Sequence, residues 1–86
     1  MSVRNFEDLI IWKDARILAN LIHNTFLGNK DFSFCDQINR ATLSVMNNIA
    51  EGFERFSKTE FKRYLQISKA SCSEVRSMTY LALDFG

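Results

Sequence analysis

Seven polar side chains, Gln37, Arg40, Ser44, Asn47, Asn48, Glu51 and Arg55, form the densest concentration of chemically able residues in this 86-residue chain. Six of them, Gln37, Arg40, Ser44, Asn48, Glu51 and Arg55, follow a 3-4-4-3-4 spacing. On a helix that spacing gathers them into one stripe about 80° wide. Ordinary solvated helix faces use Lys, Glu and Gln, whereas this ridge is rich in Ser and Asn, which are weak helix formers. Two readings follow. One is a hydrogen-bonded seam between helices or subunits, favoured because buried polar groups usually occur as mutually satisfied networks. The other is a ligand or RNA contact centred on Arg40 and Arg55.

A second set is cationic. Lys58, Lys62, Lys69 and Arg76 fall within about 40° of one another on a helix and extend along roughly 27 Å of it. Such a stripe can follow a phosphate backbone, which attracts Lys and Arg whatever the base sequence. The plainer reading is a solvated helix face.

Catalytic constellations are missing. His23 is the only histidine and has no partner at metal-ligand spacing, so it reads as a surface or rim side chain. No Gly-rich phosphate loop, nucleophile elbow or zinc pattern occurs. A general acid or base at Glu51, with Arg40 meeting a substrate, is kept only as a reserve. The sequence therefore points to a non-enzymatic protein, with no cofactor, metal or small-molecule substrate expected.

Three helices must position these residues. With no Pro and only three Gly, nothing interrupts long helices and few turns are available. The first is expected at about 6–27, with Asn5 as N-cap, Glu7 and Asp8 in the positive first turn, and Gly28-Asn29 as the stop. The second is expected at about 34–55, capped by Ser33. Gly52 is either its end or a small residue permitting close helix approach. The third, about 58–85, opens on Ser57-Lys58-Thr59-Glu60, a capping box with Phe56 and Phe61 at the staple positions. Its inward residues are expected to include Phe61, Tyr64, Leu65, Ser68, Cys72 and Val75. The expected fold is an all-α, antiparallel up-and-down bundle forming a single domain, 1–86.

Amphipathicity bears on assembly. The first helix has one broad apolar arc containing Ile11, Trp12, Ala15, Leu18, Ala19, Ile22 and Phe26. It also has a separate stripe of Ile10, Ile17 and Leu21. A lone bundle helix needs one buried face, so the extra stripe predicts contact with a further helix. Its three residues are the candidate oligomer interface.

Net charge is +1, too small to announce a nucleic-acid binder. Residues 57–86 nevertheless carry five basic and three acidic side chains, against six and seven in 1–56. Cys35 and Cys72 lie too far apart in the expected hairpin to bridge, and free thiols suit a reducing cytosol. Acidic residues near the start argue against a signal peptide, and no apolar run approaches a membrane span. A cytoplasmic protein is expected.

Gln37-Ile38-Asn39-Arg40-Ala41, Ser44, Asn48-Ile49-Ala50-Glu51-Gly52 and Arg55 resemble the signature of the four-helix-bundle proteins known as 23S ribosomal RNA intervening-sequence proteins. Phe6-Glu7-Asp8-Leu9 with Trp12, and Ala70-Ser71 with Glu74, resemble the same family's flanks, so the likeness spans nearly the whole chain. The resemblance implies a bacterial antiparallel bundle that assembles into a homo-oligomer, typically a pentamer, of unknown biochemical role. A related branch, the accessory variability proteins of diversity-generating retroelements, implies RNA or a reverse transcriptase as partner. Met46 stands where the family often has Pro, which predicts a straighter second helix. The family's fourth helix is expected after Gly86, where this sequence stops. Either this is a truncated form or a neighbouring subunit takes the missing helix's place. The reading that emerges is an oligomeric bundle docking RNA or a nucleoprotein partner on its outer surface. The alternative is a scaffold that binds only protein.

Overall fold

The structure is a computed structural model that describes residues 3–86. A 3-10 turn, Phe6–Asp8, precedes three α-helices: α1 (Ile10–Thr25), α2 (Phe32–Phe53) and α3 (Lys58–Phe85). There is no strand among the described residues, and the expected all-α class holds.

Both ends of the first helix differ from expectation. Asn5 makes no side-chain cap, and Leu9 is extended at φ −71°, ψ 129°. The chain bends there because Phe6 packs edge-on against Trp12, with centroids 5.2 Å apart. Leu9 also packs against the core cluster of Ala15, Val45 and Ile49. Burying both residues outweighs continuing the helix backwards. α1 ends at Thr25, and Gly28 then takes φ +82°, the left-handed conformation that glycine adopts without a Cβ penalty.

The α2 cap is Asp31, not Ser33. Asp31 Oδ1 accepts the Phe34 backbone N–H at 3.1 Å, while Asn29 Oδ1 accepts from Asp31 N at 2.8 Å. This tandem of turn side chains moves the start to Phe32 and leaves Ser33 inside the helix. At α3, Ser57 Oγ accepts the Glu60 N–H at 3.0 Å, as its capping sequence predicts. The expected Phe56–Phe61 staple does not form. Phe56 is fully exposed, and Phe53 instead meets Phe61 edge-on at 6.0 Å. α2 stops at Phe53, just short of Arg55, so its last turn turns Phe53 inward.

α2 is the central element. It packs against α1 on one side and α3 on the other, while no Cα of α1 comes within 8 Å of one in α3. Towards one end the core joins Ile22, Phe34, Ile38, Ala41 and Val75; towards the other it joins Ala15, Val45 and Ile49. Ile38 is wholly buried, which is worth roughly 2 kcal/mol by transfer of its side chain. The arrangement is the expected three-helix bundle, 45 × 20 × 16 Å, with a groove left open between α1 and α3.

Openness changes the fate of several predicted core positions. Ile11 is 46% exposed although it lies in the apolar arc. Cys72 is exposed rather than inward, and both cysteines are free. Ile10, Ile17 and Leu21 are 74%, 65% and 59% exposed in the single chain.

Candidate functional site

The polar ridge of α2 lies mostly along its junction with α3. The hydroxyls of Ser44 and Ser71 are hydrogen-bonded at 2.8 Å. Asn48 Nδ2 donates to the Ser44 carbonyl at 2.8 Å and to its Oγ at 3.0 Å. Near one end of the seam Gln37 Nε2 donates to Glu74 Oε2 at 2.6 Å. Near the other, Arg55 Nη2 donates to the Tyr64 hydroxyl at 2.7 Å. Inside, Ser68 Oγ donates to the Val45 carbonyl at 2.7 Å. Ser and Asn suit this position because their short side chains reach a neighbouring backbone without holding the helices apart.

Gly52 completes the seam. A Cβ there would meet Tyr64, so glycine is what allows α3 to lie directly on α2. Tyr64 is held by charge as well as by contact. The Arg55 guanidinium carbon lies 5.0 Å from its ring centroid and that of Arg63 lies 5.7 Å away. Glu51 approaches Arg55 at 3.6 Å. The role of Tyr64 as the shared partner of two arginines went unseen in the sequence. The available signal was Gly52, whose missing side chain calls for a bulky residue opposite.

Arg40 and Glu51, the residues of the reserve enzyme reading, are engaged separately. Arg40 Nε pairs with Asp36 Oδ2 at 3.1 Å within α2, both side chains largely exposed. Asn47, also on the ridge, faces solvent. The structure thus divides the candidate cations. Arg55 belongs to the seam, and Arg40 lies about 140° around α2 from Val45, on the outer side.

Lys58, Lys62, Lys69 and Arg76 are all exposed on α3. None has an ion-pair partner among the described residues, where the ion pairs are Arg40–Asp36 and Arg55–Glu51. Lys69 borders a groove of about 380 Å³ between α1 and α3, floored by Val45 and Ile49 and flanked by Ile11, Leu18, Leu65 and Cys72. His23 lies on the opposite, α1–α2 cleft beside Trp12 and Arg16. No group of three or more potential metal ligands occurs among the described residues, and no helix there is long and apolar enough to cross a membrane.

Comparison with curated proteins and with solved structures finds no match. A family model described as 23S rRNA-intervening sequence protein matches residues 7–86. That match takes in the capping turn of α3, the whole seam and the Gly52 contact, and the chain belongs to the 23S rRNA-intervening sequence protein family.

Proposed function

We propose that this chain is a non-enzymatic, self-associating helical protein of the cytoplasm that docks RNA along the basic edge of α3. The observation that carries the reading is the unpaired state of Lys58, Lys62, Lys69 and Arg76. Four free cations on one edge are available to displace counterions from a phosphate backbone, whereas cations already paired must first give up a partner. Self-association is supported by Ile10, Ile17 and Leu21, whose exposure in one chain would be relieved in an assembly. Free Cys35 and Cys72 suit a reducing compartment.

The test is RNA binding by a Lys62→Ala/Arg76→Ala variant. Both positions are exposed, so the fold should be kept. The variant is expected to bind single-stranded RNA of any sequence more weakly, with the magnitude of the salt slope roughly halved, from about 3 to about 1.5. Unchanged affinity and slope would remove the α3 edge as the docking surface. A second reading, a scaffold for protein partners alone, is favoured by the exposed apolar residues and would then stand.

A further inference from the structure

We infer that the cleft between α1 and α2 binds a nucleotide unit, a planar base together with its phosphate. The site is separate from the α3 edge and does not rest on the reading of that edge. It lies on the side of α1 away from the α1–α3 groove, so nothing seated in that groove covers it.

The cleft encloses about 510 Å³, within the roughly 300–1,000 Å³ of small-ligand sites. Leu43 and Met46 give it an apolar wall on α2, and Trp12 and Arg16 line it from α1. The Arg16 guanidinium carbon lies 5.8 Å from the Trp12 ring centroid. An arginine stacked in this way presents a flat surface to a base and keeps its edge N–H groups for an anion. Arg16 makes no ion pair, and its guanidinium donates no hydrogen bond among the described residues.

Two amides supply acceptors. Asn20 Nδ2 donates to the Arg16 carbonyl at 2.9 Å, and Asn39 Nδ2 donates to the Cys35 carbonyl at 2.8 Å. Both residues line the cleft, and neither Oδ1 accepts a hydrogen bond among the described residues. The amino groups of adenine, cytosine and guanine are donors of the kind these oxygens lack.

The charge is one-sided. Lys13, Arg16, Asn20 and His23 are spaced 3-4-3, so they share an arc of α1 about 80° wide. All four are exposed. No carboxylate lines the cleft, and Asp36, three residues before Asn39 on α2, is paired with Arg40 at 3.1 Å. Lys13 and Arg16 also border an adjoining hollow, which seats the phosphate while the base lies against the Leu43–Met46 wall.

Trp12 is the chain's only tryptophan, so its fluorescence reports on this cleft. Titration with 5′-AMP should change that fluorescence saturably, with a Kd of about 0.1–1 mM after correction for absorbance. Adenosine should bind about tenfold more weakly. Lys13→Ala/Arg16→Ala, at exposed positions, should keep the helical circular dichroism and erase the advantage of AMP over adenosine. A short single-stranded oligonucleotide, added to the Lys62→Ala/Arg76→Ala variant, separates the two sources of this chemistry. A response to AMP alone assigns a free nucleotide, and a response to the oligonucleotide alone assigns a nucleotide within RNA. No saturable response to either, or equal binding of AMP and adenosine, overturns the site. RNA bound by the unaltered chain with Trp12 unchanged overturns it while the α3 reading stands.

Discussion

Gly52 and Tyr64 touch so closely that a Cβ built on Gly52 would stand 2.5 Å from Tyr64 Cβ. Tyr64 cannot rotate out of the way, because its Cβ is fixed to the α3 backbone. Phe61 Cδ1 is the next atom, at 3.1 Å. Gly52→Ala should therefore separate α2 from α3. At an open helix site the same change would gain up to about 1 kcal/mol. Here overpacking should win, with a net loss of about 1–3 kcal/mol in urea unfolding.

The Ser44–Ser71–Asn48 group predicts coupling. Ser44→Ala removes the partner of Ser71 and one acceptor of Asn48, at a cost of about 1–2 kcal/mol. Ser44→Ala/Ser71→Ala should cost less than the sum of the single changes, because neither hydroxyl is then left half-buried without the other. A double-mutant cycle in urea measures this; strictly additive losses would mean that the two hydroxyls do not interact.

The two cap assignments are separable. Asp31→Ala should lower stability by about 1 kcal/mol, as should Ser57→Ala, whereas Ser33→Ala should change it little. Thermal melts of the three variants decide, and a larger loss at Ser33 than at Asp31 would contradict the structure.

Burial predicts a steep contrast between two isoleucines. Ile38→Ala empties the most enclosed site in the chain and should cost about 3–4 kcal/mol. Ile17→Ala, 65% exposed, should cost less than about 0.5 kcal/mol under dilute conditions where the chain is monomeric.

Elements whose cause is local were readable from residues alone. The Ser57 cap and the left-handed turn at Gly28 depend on neighbours within a turn or two. Asp31 and Ser33 are both good capping residues ahead of Phe34, and propensity alone does not rank them; the Asn29 bond to Asp31 N does. The break at Leu9 and the exchange of Phe56 for Phe53 are tertiary effects, won by rings finding Trp12 and Phe61. Periodicity shows which face of a helix is apolar but not what covers it, so the gap between α1 and α3 and the exposure of Cys72 were hidden. At the site, the 3-4 spacing marked the ridge, and Arg40 with Asp36 four residues before it was a legible pair. The Tyr64 contacts with Arg55 and Arg63 needed the fold.

The most direct measurement is the salt dependence of RNA binding by the unaltered chain. If four α3 cations displace counterions from single-stranded RNA, the logarithm of the binding constant should fall with the logarithm of salt at a slope of about −3. Failure to bind RNA at low ionic strength, or binding with a flat slope, would contradict the account.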